Sequence, residues 1–74
     1  MDTETIRQMI LTGVPDSQVV VEGDGTHFEA TIISPAFAGQ PLVKRHQMVY
    51  AALGDSMRSA IHALSMRTLT PEEA

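Results

Sequence analysis

The sequence predicts a small α+β domain with two layers in the order α-β-β-α-β, a three-stranded sheet packed against helices. Three observations carry that expectation. Ile6, Met9 and Ile10 recur at helical spacing near the start. Val19, Val20 and Val21 open a β-branched run that a turn signal divides from an alternating strand. Pro41 then introduces a longer apolar helix, and a last apolar run follows it. A helix layer covering one face of one sheet is among the few stable solutions for such a chain. With 74 residues there is room for a single domain, 1–74, which buries only about 60% of its unfolded surface and therefore has a thin core.

Each element has a local cause. Asp2 or Thr3 caps a first helix over 3–12, and Gly13 is expected in the left-handed position just past it, with Pro15 blocking continuation. A hairpin covers 17–34. Its first strand is Ser17 to Glu22, and Asp24-Gly25 reads as a two-residue turn with both central residues at positive φ. The return strand, His27 to Ser34, sorts by alternation into a core face of Phe28, Ala30 and Ile32 and an outer face that includes His27. Pro35 ends that strand, because it cannot donate to a ladder. Residues Pro35 to Gln40 form a loop with one helical turn around Phe37. The main helix is expected over 41–58, with Pro41 as its first residue and Gly54 as a weak point. The third strand is expected over Ile61 to Arg67, and Thr70-Pro71-Glu72-Glu73 is a capping box that starts a helix stub from 70.

Composition narrows the function classes. There is no cysteine, so no disulfide framework exists and no thiolate can ligate a metal. The longest apolar run, Met48 to Leu53, is far too short to span a bilayer, and the start of the chain lacks a signal-peptide layout. A cytoplasmic protein with no membrane association is the expectation. The net charge is −4, with five basic residues scattered at Arg7, Lys44, Arg45, Arg58 and Arg67. Nucleic-acid binding draws most of its affinity from cations that neutralise phosphates, so this balance counts against a dedicated nucleic-acid domain. Ser34, Ser56, Ser59 and Ser65 read as strand-end, helix-surface, turn and strand residues, none in a triad-like setting. No enzyme is expected.

His46 is the residue that most needs explaining. With Val49, Tyr50, Leu53 and Met57 it falls at i, i+3, i+4, i+7 and i+11, the buried stripe of an amphipathic helix. On that reading it is a packing residue. It also lies near the positive end of the helix dipole, which disfavours protonation, and a neutral imidazole can ligate a metal. A closed structural zinc site needs four ligands. Three histidines and no thiolate do not supply them, so any metal bound here would need ligands from another molecule.

The segment Phe37-Ala38-Gly39-Gln40-Pro41-Leu42-Val43-Lys44-Arg45-His46-Gln47-Met48-Val49-Tyr50-Ala51-Ala52-Leu53 resembles the signature of the BolA/YrbA (BolA-like) family: an F-x-G turn, then R-H, then V-Y leading to a leucine. Gly23-Asp24-Gly25-Thr26-His27-Phe28 resembles the family's hairpin loop. Ile61-His62-Ala63-Leu64 with Leu69-Thr70-Pro71 resembles its last strand and the turn beyond. The three blocks stand in family order and cover most of 19–71.

The resemblance implies a fold related to the class II K-homology (KH-like) domain. It also implies an adaptor that pairs with a monothiol glutaredoxin and shares a [2Fe–2S] cluster with it, in iron–sulfur cluster assembly and trafficking or in iron sensing. Glutaredoxin and glutathione each bring a sulfur ligand. The BolA-like partner brings the R-H histidine, His46 here, and a loop residue. Some branches carry a loop cysteine, whose place falls close to Asp24; His27 is the loop histidine available instead, its other reading being an exposed strand-end polar residue. Histidine in place of cysteine raises the potential of such a cluster. The isolated chain, a monomer or weak dimer, is expected to hold no cofactor. Lys44 and Arg45 are expected to dock the carboxylates of glutathione or of a partner surface, their other reading being plain surface charge. His62 is read as structural, on the third strand. Two alternatives remain: a KH-like nucleic-acid-binding transcriptional regulator of stress response or morphology, and a protein-interaction domain without metal. Against the first, Gly23-Asp24-Gly25 and Gly39 do not make the G-x-x-G loop of K-homology domains.

Overall fold

A computed structural model of the chain describes residues 2–58 and 61–74. The order is α1 (Thr3–Gly13), β1 (Gln18–Gly23), β2 (Phe28–Ile33), a 3₁₀ turn (Pro35–Phe37), α2 (Leu42–Leu53), a second 3₁₀ turn (Ile61–Ala63) and β3 (Leu64–Leu69). The sheet runs β1-β2-β3, with β1 antiparallel and β3 parallel to β2. Parallel neighbours need a long crossover, and here α2 supplies it. Helix α1 packs on α2 and β1, while α2 also reaches β3. The expected two-layer α+β architecture is the one observed. Among the described residues no helix is long and apolar enough to cross a membrane.

Asp2 caps α1 by accepting from the Thr5 amide at 2.8 Å. The helix buries Ile6 and Ile10, with Val14 just beyond it completing an i, i+4, i+8 stripe. From the sheet come Val19, Phe28, Ala30, Ile32 and Leu64; from the second half come Phe37, Val49, Leu53 and Met57. The core face expected for β2 is thus the buried face. Ser34, read from sequence as a strand end, is fully buried. Its hydroxyl donates to the Pro15 carbonyl at 2.6 Å and accepts from the Ala36 amide at 3.1 Å, tying the α1–β1 connection to the first 3₁₀ turn. At the outer edge of the sheet, Arg7 Nε donates to the Val19 carbonyl at 3.2 Å while Nη1 pairs with Glu4 at 3.0 Å.

Several boundaries differ from expectation. Helix α2 starts at Leu42, with Pro41 flanking it in an extended conformation at ψ 161°, and it ends at Leu53 instead of 58. Gly54 stops it at φ 57°, a conformation that favours glycine. Met57 therefore joins the core from beyond the helix, and Tyr50 leaves the expected stripe, being 39% exposed. Gly13 is the last residue of α1 and has no positive φ. Its reason is contact: a Cβ there would overlap the Ala52 Cβ and lie 2.8 Å from the Ala52 Cα, so glycine lets α1 approach α2. The Asp24-Gly25 pair is not a two-residue turn. The loop spans Asp24 to His27, and only Gly25 has positive φ. The third strand begins at Leu64 instead of Ile61 and runs on to Leu69. Ser59, assigned to a turn from sequence, lies outside the described residues.

The capping box forms: the Thr70 amide donates to Glu73 Oε1 at 2.7 Å and the Glu73 amide to Thr70 Oγ1 at 3.3 Å, around a single turn. Arg45 locks it. Its guanidinium donates to the Gln40 carbonyl (2.9 Å), to the Thr68 carbonyl (3.0 Å) and to both oxygens of Glu73 (2.7 and 3.3 Å), and it lies 5.9 Å from the centre of the Phe37 ring. Its side chain is only 12% exposed. The docking role expected for Arg45 is therefore corrected to an intramolecular one, because its donors are already engaged by three separate segments.

The Arg45 side chain, then the Thr70 amide, hold the Glu73 carboxyl at about 2, down from the ordinary 4.5. The folded state thus binds fewer protons than the unfolded state as pH falls through this range. The Glu73 contribution to stability is complete above the unfolded value and is lost as pH drops from about 4.5 to about 2. Wild type should accordingly lose thermal stability more steeply than Glu73→Gln between those pH values. Parallel melting curves across that window would contradict the linkage.

Candidate functional site

The parallel register builds the site. Phe28 of β2 is opposite Leu64 of β3, so the two strands begin side by side. His27 immediately precedes the first, and His62 lies two residues before the second, on the 3₁₀ turn. Both histidines are exposed, and both line one open cleft of about 440 Å³ together with Glu22, Asp24, Glu29 and Ser65. Glu22 and Glu29 are register partners across β1 and β2. Two like charges directly opposite weaken a strand pair, so this acidic rim does not serve the sheet. No lysine or arginine lines the cleft.

The loop that carries His27 is tightly organised. Asp24 Oδ1 accepts from the Thr26 amide (2.9 Å), the Thr26 hydroxyl (2.8 Å) and the His27 amide (2.9 Å). Those bonds, the His27 amide first, hold the Asp24 carboxyl far below the usual carboxylate range. The Asp24 amide also donates to the His27 carbonyl at 3.2 Å. Gly23 allows this return: a Cβ on it would sit 2.5 Å from the His27 carbonyl oxygen and 2.6 Å from Phe28 Cδ1.

His46 stands apart from this cleft and does not line it. It is half-buried on α2, and its Nε2 is enclosed with no hydrogen-bond partner. The enclosed Nε2 is packed against the fold, as the helical spacing of His46 also allows. Lys44 remains exposed at the start of α2, away from the histidines' cleft. The structure therefore brings together His27, Asp24 and His62, and it separates them from His46, Lys44 and Arg45. His62 is the residue that sequence reasoning missed. Placed on a strand it looked structural; on a turn at the head of β3 it is an open imidazole. The signal that would have found it is the pairing of β2 with β3, which no local pattern states.

Chemically, the cleft offers two exposed imidazoles beside carboxylates. Among the described residues no group of three or more His, Cys, Asp or Glu side chains is arranged to hold a metal ion. Two nitrogen donors fit an iron or other borderline metal, but they leave its coordination incomplete. As a donor set this is half a site.

Comparison with known proteins agrees with the fold. The BolA-like protein family model matches residues 12–73. A BolA homologue from Coxiella burnetii has a solved structure with 51% sequence identity and a TM-score of 0.86, covering 99% of this chain and 95% of that one. The acid stress protein IbaG of Escherichia coli K12 is 32% identical over 74 residues, which is 99% of this chain and 88% of IbaG. SufE-like protein 1 of Arabidopsis thaliana, chloroplastic/mitochondrial, is 50% identical over 48 residues, or 65% of this chain. This chain spans only 13% of that relative's length. With the sheet order, the helix layer and these matches in agreement, the chain belongs to the BolA-like family.

Proposed function

We propose that this protein is an adaptor that pairs with a monothiol glutaredoxin and completes a shared [2Fe–2S] centre, in iron–sulfur cluster assembly and trafficking or in iron sensing. The observation that carries the reading is the paired start of two parallel strands, which sets His27 and His62 in one open cleft with too few ligands to close a site. His62 thus replaces His46 as the second ligand, beside His27. When bound, the cluster would supply electron transfer or a transferable iron–sulfur unit, at a potential raised by the imidazoles. The chain's own part is to set two imidazoles beside the paired start of β2 and β3 and to present them to a partner. Asp24 lies close to the loop place where the resemblance puts a family cysteine, but its carboxylate is already engaged by the loop. Lys44, exposed on α2, stays available to a carboxylate of the partner.

Anaerobic mixing with a monothiol glutaredoxin, glutathione, iron and sulfide tests the reading. Wild type should give a heterodimer whose visible circular dichroism differs from that of the glutaredoxin homodimer. His62→Ala and His27→Ala should each remove that distinct spectrum while leaving the fold intact, and His46→Ala should keep it. A wild-type spectrum from His62→Ala, or its loss in a folded His46→Ala protein, would overturn the ligand assignment. With a net charge of −4 and an acidic cleft, DNA should be bound only non-specifically, with a dissociation constant of about 10⁻⁴ to 10⁻⁶ M that weakens further with salt. Sequence-preferring retention at physiological salt, read by fluorescence anisotropy, would favour a regulator instead.

A further inference from the structure

The loop between β1 and β2 does more than carry His27. Thr26 has one hydroxyl proton, and its oxygen lies 2.8 Å from Asp24 Oδ1 and 3.5 Å from His27 Nδ1. An ionised carboxylate can only accept, so the hydroxyl proton must point at Asp24. The Thr26 oxygen is then left with lone pairs alone toward the ring. A favourable contact with Nδ1 requires that Nδ1 carry the proton, because two acceptors facing each other would repel.

We infer that Asp24 and Thr26 are positioning residues for His27: the order Asp24 carboxylate, Thr26 hydroxyl, His27 Nδ1–H fixes the imidazole in one tautomer and leaves the Nε2 lone pair free to ligate. The unconstrained neutral side chain favours the opposite form, with the proton on Nε2, which would block that nitrogen as a ligand. The hydrogen bond made by one ring nitrogen decides which form is present, and outer partners of this kind are what orient ligating histidines. Asp24 therefore acts through Thr26 and not as a ligand itself. Its value to a metal site rests on the reading that His27 ligates; its effect on the ring does not.

Long-range ¹H–¹⁵N correlation of the His27 imidazole in the free chain reads the tautomer directly. Wild type should show mainly Nδ1–H. Thr26→Val, which keeps the side-chain shape and removes the hydroxyl, should shift the ratio toward Nε2–H by about two- to fivefold, the range expected of one long hydrogen bond. Thr26→Ser should restore the wild-type ratio. Asp24→Asn keeps an acceptor oxygen for the loop amides and the hydroxyl and should hold the tautomer, whereas Asp24→Ala should lose it. A wild-type ring that is mainly Nε2–H, or a ratio unmoved by Thr26→Val or by Asp24→Ala, would overturn the inference. Since no cluster or partner is present in this measurement, its failure is distinct from failure of the ligand assignment tested with glutaredoxin.

Discussion

Arg45→Lys should lower the thermal midpoint nearly as far as Arg45→Ala, although it keeps the charge. The guanidinium serves the Gln40 and Thr68 carbonyls and both Glu73 oxygens at once. An ammonium has three donors on a flexible stem and no planar fork, so it cannot reproduce that geometry. Arg45→Ala leaves the part-buried Thr68 carbonyl without its donor, and a lysine cannot serve Gln40, Thr68 and Glu73 together, so each change leaves at least one of these groups unmet, at a cost of about 1–3 kcal/mol. For a domain whose total stability is on the order of 5 kcal/mol, that is a large fraction. Thermal melts at neutral pH check it; a midpoint for Arg45→Lys close to wild type would mean that charge, and not the fork, matters.

Phe37→Ala should be the most destabilising single change in the chain. Phe37 is fully buried and is one of two phenylalanines among all 74 residues. Truncating such a ring typically costs about 3–5 kcal/mol, comparable to the whole stability of a domain this small. The variant should be largely unfolded at room temperature by far-ultraviolet circular dichroism, while Phe37→Leu should fold with a lowered midpoint. Because Arg45 lies over the same ring, effects at the two positions should be non-additive in a double-mutant cycle. Full folding of Phe37→Ala would mean that the first 3₁₀ turn does not anchor the crossover.

The elements legible from sequence are those whose cause is local. The Val19–Val21 run, the alternation of Phe28, Ala30 and Ile32, the Asp2 cap and the Thr70–Glu73 box each depend on residues a few positions apart, and each is present. What was not legible depends on distant partners. Gly13 looked like a helix terminator because nothing nearby shows that Ala52 will press against it. Met57 extended the α2 stripe on paper, yet Gly54 turns the chain first and Met57 reaches the core by another route. Arg45 looked like an exposed cation because Thr68 and Glu73 are far along the chain. The candidate site suffered most from this limit. The loop that carries His27 is a local motif, but its place beside His62 is set by a parallel register across the α2 crossover. His46, prominent in the sequence, turned out to have its Nε2 enclosed.

The Arg7 contact has a consequence for how this sheet behaves among its own copies. A three-stranded sheet has two open margins, and β1 is one of them, bearing three consecutive valines with Val20 58% exposed. Unpaired backbone along such a margin is a template on which a strand from another molecule can add, and the next after it. Arg7 fills the Val19 acceptor from the side of α1 and leaves a cation where an incoming strand would have to lie. Glu4 holds that cation in place from one helical turn away. At the β1 margin the obstacle to such growth is therefore not the sheet's own; it is lent to the strand by the first two turns of a helix.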